Sequence, residues 1–343
     1  MLTPKTLQAV LDKFPRVQAA HNPTPIEALA NLGARLGLHV SVKRDDCTGV
    51  AFGGNKVRQL EFYLGEALAR NADTVLITGA VQSNFVRTTA AMAAKLNLRC
   101  HVQLEQRVAN KSAAYHSNGN VLLDKLCGAT VHHFPDGEDE AGADNALELL
   151  ADDLRRQGAR PYTIHLGTAY PPIGALGYVA GALELSQQLP TIEPVDEIVV
   201  CSGSALTHIG ILVGLRLLGI NIPVQGICVR RDAQLQTTRV TRRVAELIAM
   251  LDCPLTIPGS DIRLDDAVLA PGYGQLNQAT SDAIKQAATL EGLLLDPAYT
   301  GKGMAGLIRQ ADKNRGKHVL FWHTGGQPAL FGYIDQLADE GVV

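Results

Sequence analysis

The chain has 343 residues, of which 46% are hydrophobic and 19% are charged, and its formal net charge is −3. This length predicts two domains, and this composition is typical of a globular protein. The small negative charge excludes a general electrostatic attraction to nucleic acids or to anionic membranes.

The N-terminal residues and the cysteines indicate in which cellular compartment the protein occurs. Charges at Lys5, Asp12, Lys13 and Arg16 interrupt the N-terminal segment, which therefore does not predict a secretory signal. No run of residues is apolar enough to span a bilayer. The six cysteines lack the paired short spacing of a zinc site or of a disulfide framework. We therefore expect a soluble, cytoplasmic protein without a bound metal.

Short apolar segments alternate with longer helical patterns along the chain, which predicts an α/β protein with largely parallel sheets. The predicted strands lie at 39–44, 74–78, 100–104, 129–134, 162–166, 197–201, 224–229, 292–295 and 318–323. The predicted helices lie at 85–96, 112–126, 141–157, 207–218, 234–250 and 278–290, and a further helix begins near Lys56.

The four strands between 74 and 166 form a unit of roughly a hundred residues, which is a usual domain size. We therefore predict a smaller α/β domain over 59–166, inserted into a larger domain that combines 1–58 with 167–343. Prolines and glycines in the loop 168–174 end regular structure, so this loop is the predicted hinge region.

Lys56 follows a Gly-Gly-Asn turn and falls in the first turn of a helix with an apolar face. The positive end of a helix dipole disfavours an ammonium group and lowers the pKa of the lysine amine. Carbonyl chemistry requires a lysine of this kind as its nucleophile. Lys56 is therefore the candidate catalytic residue, although the motif by itself also fits a solvated lysine at a helix start.

A second motif, Ser202-Gly203-Ser204-Ala205-Leu206-Thr207, connects a predicted buried strand to an apolar helix. Loop amides and hydroxyls beside a helix N-terminus suit a phosphate group. The spacing matches neither the dinucleotide fingerprint nor the nucleoside-triphosphate loop. Many turns of this kind use Gly and Ser merely to reverse the chain, so the motif is weak by itself.

Further polar residues follow other predicted strands. Ser83 and Asn84 begin the helix 85–96, where they would either hold a carboxylate or cap the helix, and spacing alone favours the cap. Tyr299 and Thr324 follow the last two predicted strands, and the carboxyl ends of parallel strands are where α/β proteins bind ligands. Each of these motifs, taken singly, is more often structural.

Five motifs occur in a fixed order, namely KRDDCTGVAFGGNKVRQLEF, TGAVQSNFVRTTAAMAAKL, VVCSGSALTHIG, LDPAYTGKGMAGL and HTGGQPALF. Together they resemble the D-cysteine desulfhydrase and 1-aminocyclopropane-1-carboxylate deaminase family over nearly the whole chain. Members of this family are pyridoxal-phosphate enzymes of the tryptophan synthase β-like fold, also called fold type II. The resemblance therefore implies two open-sheet α/β domains, pyridoxal 5'-phosphate as the cofactor, and a homodimer.

The resemblance also implies roles for individual residues. Lys56 would be the lysine that forms the Schiff base with the cofactor, and Thr300 would face the pyridine nitrogen. The phosphate would bind to Ser202, Gly203, Ser204, Ala205, Leu206 and Thr207, and Asn84 would lie beside the phenolic oxygen. The substrate would contact Ser83, Asn84, Tyr170 and Thr324, and the catalytic groups would be Lys56, Ser83, Tyr273 and Tyr299.

Two positions help to choose an activity within the family. Ring-opening deaminases usually carry Glu and Leu where this chain has Thr300 and Thr324, which are typical of the desulfhydrases. The chain departs from the desulfhydrases at Leu206, where Gly is usual, and in the loop 167–172, which includes Tyr170.

We therefore predict a lyase that converts a small β-substituted amino acid, first of all D-cysteine, into pyruvate, sulfide and ammonia. The alternatives are an L-cysteate sulfo-lyase, for which Arg87 is a candidate cation, and the cyclopropane deaminase. Alternatives of other classes are a non-catalytic pyridoxal-phosphate-binding protein and a nucleotide-binding module.

Overall fold

The computed structural model describes residues 1–109 and 112–343. Strands in the described residues are β1 (Ile26–Ala28), β2 (His39–Arg44), β3 (Thr74–Ala80), β4 (Arg99–Glu105), β5 (Thr130–Phe134), β6 (Pro161–Ile164), β7 (Glu197–Ser202), β8 (Val224–Cys228), β9 (Arg263–Asp265) and β10 (His318–His323). Helices are α1 (Pro4–Leu11), α2 (Ala30–Leu36), α3 (Asn55–Ala69), α4 (Asn84–Lys95), α5 (Ala113–Ser117), α6 (Asn120–Leu126), α7 (Glu140–Arg156), α8 (Leu176–Gln188), α9 (Leu206–Leu217), α10 (Ala233–Leu251), α11 (Gln278–Glu291), α12 (Thr300–Arg309), α13 (Ala329–Gly332) and α14 (Ile334–Asp339).

These strands form two open sheets. One sheet has the order β1-β2-β10-β7-β8-β9, and the other has the order β5-β4-β3-β6. β1 runs antiparallel to β2, while the other strand pairs in the described residues are parallel. The predicted α/β class with two largely parallel sheets is therefore confirmed. The strand orders also support the proposed division into a smaller domain at 59–166 and a larger one, whose boundaries stay a prediction.

The central strands of both sheets are continuous hydrophobic runs because they are completely buried. Every residue of β3, β7, β8 and β10 is buried, as expected for strands covered by helices on both faces. Helix α8 packs along α9, and Gly210 and Gly214 of α9 let the two backbones approach closely. Within the described residues, no helix is both long enough and apolar enough to cross a membrane.

The predicted strand at 292–295 is wrong, because the structure has no strand there. Gly292 ends α11 in the left-handed conformation with φ 64°. In the next residues Leu293 and Leu295 are buried and Leu294 is exposed, but the segment joins neither sheet. The short apolar run therefore reflects packing on the core without a neighbouring strand.

The predicted helix 112–126 is divided into α5 and α6. Gly119 interrupts it with φ 60°, and a Cβ there would lie 2.6 Å from the Pro328 carbonyl oxygen. Gln82 bridges the break, because its amide donates to the Tyr115 carbonyl and its Oε1 accepts from the Asn120 amide. The break therefore reflects tertiary contacts that the apolar periodicity of the segment does not record.

A buried carboxylate, Asp45, joins elements that surround the start of α3. Its Oδ1 accepts hydrogen bonds from Thr24 and Arg58, and its Oδ2 accepts from Arg58, Tyr178 and Trp322. Although burial alone would raise the pKa of Asp45, the neighbouring Arg58 guanidinium lowers it to about 2. A buried carboxylate is stable only with such partners.

The glycine turn that precedes Lys56 is set against this cluster. Gly53 and Gly54 have φ 64° and 107°, and a Cβ on Gly53 would lie 2.2 Å from the Asp46 carbonyl oxygen. The Gly54 amide donates to the Asp45 carbonyl at 3.0 Å, and the Asn55 amide donates to the Thr324 carbonyl at 2.9 Å. Only glycine tolerates both the left-handed backbone and this close approach.

We predict that Asp45→Asn lowers the free energy of unfolding by about 3–5 kcal/mol, because it removes one of the two carboxylates, Asp45 and Glu184, that neutralise the buried Arg58 charge. Since the folded pKa lies below the ordinary value of 3.8, the contribution of Asp45 is present above that value and is lost as the pH falls through about 2. Urea denaturation monitored by circular dichroism measures the change. The matched control is Asp312→Asn, whose side chain is 93% exposed. Equal effects of the two substitutions would contradict the prediction.

Candidate active site

A cavity lies where the carboxyl ends of strands from both sheets meet. Its lining includes Thr78, Gly79 and Ala80 at the end of β3, Glu105 at the end of β4, and Cys201 in β7. Segments that follow β7, β8 and β10 complete the wall with Gly203, Ser204, Ala205, Thr207, Arg230, Arg231, Thr324 and Gly325. This is the location at which parallel α/β sheets bind ligands.

Lys56 lines this cavity and is only partly exposed. Its amine donates a hydrogen bond to Gln59 Oε1 at 3.3 Å and lies 4.8 Å from the centroid of the Phe85 ring. Burial lowers the pKa of Lys56 to about 8. The amine is therefore available in its neutral, nucleophilic form at a pH near that value.

The segment 202–207 forms the turn between β7 and α9. Ala205 adopts the left-handed conformation with φ 79° immediately before the first turn of this helix. The Thr207 hydroxyl accepts hydrogen bonds from Asn55 Nδ2 and Gln59 Nε2, each at 2.9 Å. Because both lone pairs of this oxygen are occupied, its own hydrogen is left to donate to a ligand.

The members of this segment face different environments. Gly203, Ser204, Ala205 and Thr207 line the cavity, whereas Ser202 and Leu206 do not. Ser202 is fully buried and accepts from Gln236 Nε2 at 2.9 Å, and Leu206 belongs to the hydrophobic core. Leu206 thus occupies the place of the usual glycine by packing its side chain away from the cavity.

Ser83 and Asn84 both line the cavity at the start of α4. The predicted cap is confirmed, because Ser83 Oγ accepts from the Val86 amide at 3.3 Å. Asn84 Oδ1 accepts from Asn120 Nδ2 at 3.0 Å. This contact orients the carboxamide and leaves the two N–H groups of Asn84 free to donate to another acceptor.

Tyr273 and Tyr299 face each other across the cavity wall. Their hydroxyl oxygens are 2.6 Å apart, and their rings meet edge to face with centroids 5.8 Å apart. Burial and the neighbouring Tyr273 raise the pKa of Tyr299 well above its ordinary range. The Tyr299 hydroxyl therefore keeps its proton at neutral pH.

The two threonines that help to choose an activity are placed differently. Thr324 lines the cavity, whereas Thr300 lies outside the lining residues. The Thr300 hydroxyl donates to Asp296 Oδ1 at 2.7 Å and accepts from the Asp296 amide at 2.8 Å. Burial raises the pKa of Asp296. The contact of Thr300 with the pyridine nitrogen stays a prediction.

Two other candidates from the sequence lie away from the cavity lining. Tyr170 stacks on His165 with ring centroids 3.6 Å apart, at the rim formed by Leu166 and Gly167. Arg87 is fully buried, and its guanidinium donates to the carbonyls of Ala51 and Gly53. Arg87 therefore holds the glycine turn and is not placed to bind a sulfonate.

The cavity also contains charged residues that the sequence analysis missed, namely Glu105, Arg107, Glu140, Asp144, Arg230, Arg231 and Arg239. Arg107 and the pair Arg230-Arg231 directly follow β4 and β8, so the rule that ligands bind at strand ends could have found them. Glu140 and Arg239 lie on helices, and no local signal in the sequence distinguishes them. The described residues contain no group of three or more side chains that could hold a metal ion.

The chemistry of these groups fits pyridoxal 5'-phosphate. Lys56 supplies an amine of lowered pKa for an aldehyde carbon. The Thr207 hydroxyl hydrogen and the N-terminus of α9 suit a phosphate. The N–H groups of Asn84, which have no acceptor among the described residues, suit a phenolic oxygen. Gly325, whose φ is 81°, packs closely on Gly54, because a Cβ there would lie 2.6 Å from Gly54 Cα.

Comparisons with known proteins agree with this fit. The family described as pyridoxal-phosphate dependent enzyme matches residues 17–325. The chain is 43% identical over 326 residues to a D-cysteine desulfhydrase of Salmonella choleraesuis (strain SC-B67), covering 94% of this chain and 97% of the relative. It shows the same identity and coverage with a D-cysteine desulfhydrase of Salmonella newport (strain SL254).

Solved structures extend the comparison. A crystal structure described as an ACC deaminase homologue superposes with a TM-score of 0.87 and 37% identity, covering 97% of this chain and 98% of that chain. A fungal L-serine ammonia-lyase from Rhizomucor miehei superposes with a TM-score of 0.66 at 16% identity, covering 94% of this chain and 99% of that chain. The second likeness shows the fold alone.

We predict that borohydride reduction of the protein incubated with pyridoxal phosphate attaches the cofactor to Lys56, because this amine is neutral near pH 8 and open to the cavity. Peptide mass spectrometry locates the adduct. Lys302 is the internal control, since burial lowers its pKa to about 8 as well, but its amine donates to the carbonyls of Leu269 and Gly272. An adduct on Lys302, or on Lys56→Ala protein at undiminished yield, would refute the assignment.

Proposed function

The chain belongs to the pyridoxal-phosphate-dependent enzyme family, and we propose that it is a carbon-sulfur lyase that converts D-cysteine and water into pyruvate, hydrogen sulfide and ammonia. The observation that carries the proposal is that Lys56, Tyr273 and Tyr299 line the same cavity, in which the two tyrosine hydroxyls are hydrogen-bonded to each other. The relatives named as D-cysteine desulfhydrases support the choice of substrate.

The residues that would hold the cofactor are Lys56 at the aldehyde carbon, Asn84 at the phenolic oxygen and the segment 202–207 at the phosphate. Bound in this way, pyridoxal phosphate supplies an electron sink for the charge that develops at the substrate Cα. Thr300 and its partner Asp296 are proposed to face the ring nitrogen, and Thr324 is proposed to contact the substrate. Ser83 and Asn84 are proposed to bind the substrate carboxylate.

Proton transfer falls to Lys56 and the tyrosine pair. Once the substrate amine takes its place, the Lys56 amine removes the proton from Cα, a role that suits its pKa of about 8. Tyr299 is proposed to donate a proton to the departing sulfur, and Tyr273 is proposed to hold the Tyr299 hydroxyl, to which it is hydrogen-bonded. Each step therefore uses a group whose protonation state the cavity sets.

L-cysteate is a second candidate substrate, which would yield pyruvate, sulfite and ammonia. A specific observation favours it, because Arg107, Arg230, Arg231 and Arg239 line the cavity, and guanidinium groups are suited to a sulfonate. The cyclopropane deaminase is the third candidate. The ACC deaminase homologue shares the fold closely, but Thr300 and Thr324 depart from the deaminase pattern.

We also infer a cytoplasmic homodimer. All six cysteines are free, which is usual in a reducing compartment.

The exposed apolar side chains of Leu122, Leu126, Phe331 and Ile334 lie on α6 and around α13, which meet at Gly119. Such a patch suits an interface between copies. A sedimentation mass of one chain would refute the dimer.

We predict that the holoenzyme releases pyruvate from D-cysteine and from β-chloro-D-alanine, because both carry a good leaving group on the β-carbon. Coupled oxidation of NADH by lactate dehydrogenase measures the 2-oxo acid released in a panel that also contains L-cysteate, which would yield pyruvate, and the cyclopropane amino acid, whose four carbons would yield 2-oxobutyrate. The Lys56→Ala variant, which lacks the proposed Schiff-base lysine, is the negative control. Faster turnover of L-cysteate or of the cyclopropane substrate would replace the primary assignment, and a cofactor-loaded protein that releases neither pyruvate nor 2-oxobutyrate would be a non-catalytic binder.

We predict that Tyr299→Phe lowers kcat with D-cysteine by roughly 10²- to 10⁴-fold, the usual contribution of a general acid. The cofactor absorbance should persist, because the substitution removes no group proposed to hold the cofactor. Steady-state kinetics and a visible spectrum measure both. Tyr162→Phe is the matched control, since Tyr162 lies in β6 of the smaller sheet, donates its hydroxyl to Glu66 of α3 and lies outside the cavity lining. A kcat within threefold of the unsubstituted enzyme would exclude Tyr299 as the acid.

A further inference from the structure

Three arginines of the cavity converge on one carboxylate. Arg230 Nη1 lies 2.8 Å from Glu140 Oε1, and Arg231 Nη2 lies 2.6 Å from the same oxygen. Arg239 Nη1 lies 4.0 Å from Glu140 Oε2. The arginines belong to the segment after β8 and to α10, whereas Glu140 begins α7, so the cluster links the two sides of the cavity.

This cluster carries more positive than negative charge. Arg107, the fourth arginine of the lining, has its own carboxylate, because its Nε donates to Glu105 at 2.7 Å. Arg230, Arg231 and Arg239 share Glu140, and their side chains are only 14%, 19% and 11% exposed. Three partly buried guanidinium groups around one carboxylate form a site that attracts a further anion.

The pKa shifts of the arginines and of Glu140 agree with this geometry. Burial and the like charge of Arg230 lower the pKa of Arg231, and burial and Arg231 lower the pKa of Arg239 to about 10. Against the opposing effect of burial, the arginines hold the pKa of Glu140 below its usual range. Glu140 therefore stays ionised at neutral pH and neutralises only part of the cluster.

Arg239 ties the cluster to the cofactor side of the cavity. Its Nε donates to the Ser204 carbonyl at 3.3 Å, and its Nη2 donates to the Leu166 carbonyl at 3.0 Å. The guanidinium group is thus fixed between the segment 202–207 and the rim loop. An anionic group at the far end of a substrate would meet this arginine together with Arg230 and Arg231.

We propose that Arg230, Arg231 and Arg239 form an anion subsite and that Glu140 is its built-in counterion. The inference rests on the proposed function, because the subsite would receive the β-substituent of the amino acid. Its ligand class is an oxyanion such as a sulfonate. Glu140 is then a specificity-determining residue, since its charge disfavours an anionic substituent and leaves a thiol substituent little affected.

The test uses the holoenzyme, in which the cofactor phosphate occupies its own loop, and inorganic sulfate as the probe. Isothermal titration calorimetry measures sulfate binding to the unsubstituted enzyme and to Glu140→Gln. Removing one negative charge next to a partly buried anion should tighten sulfate binding roughly tenfold. The ratio of the KM for L-cysteate to the KM for D-cysteine should fall similarly.

Glu138→Gln is the matched control, because Glu138 is exposed, lies two residues earlier and has the same charge. Arg231→Gln should weaken sulfate binding roughly tenfold and provides a second measurement if Glu140→Gln does not fold. Sulfate binding that is unchanged in Glu140→Gln, or equally changed in Glu138→Gln, would overturn the subsite, as would unchanged binding in Arg231→Gln. Sulfate binding does not require turnover, so its result stands apart from a failure to cleave D-cysteine.

Discussion

The position of Lys56 depends on one buried carboxylate. Asp45 accepts five hydrogen bonds, two of them from Arg58 in the first turn of α3. The Asp45 carbonyl also accepts from the Gly54 amide, so the same residue holds both the glycine turn and the helix that follows it. Because side chains from α8 and β10 donate to this carboxylate as well, the start of α3 is tied to the larger sheet.

The cavity that results divides its chemistry between two regions. Near Lys56, amides, hydroxyls and a helix N-terminus offer neutral donors that suit a phosphate and a phenolic oxygen. At the opposite side, guanidinium groups face Glu140 across the gap between the sheets.

Much of this could be predicted from local patterns, and the failures have definite causes. The strand-turn-helix motifs at Ser83 and Thr207 recur in the structure because strand ends and helix starts are encoded by neighbouring residues. The strand expected at 292–295 fails because a short apolar run can pack on the core without pairing to a neighbouring strand. The helix expected at 112–126 divides at Gly119, whose conformation is set by contacts with residues far along the chain.

By itself, the sequence determined the α/β class, the family and the candidate lysine, since each rests on residues that are close along the chain. Only the tertiary structure decided which residues share the cavity. It removed Arg87 from the list of substrate cations, turned Tyr170 toward His165, and brought Arg239 to Glu140. The physical reason is that charges from distant segments pair according to the packing of the two sheets, which no local pattern records.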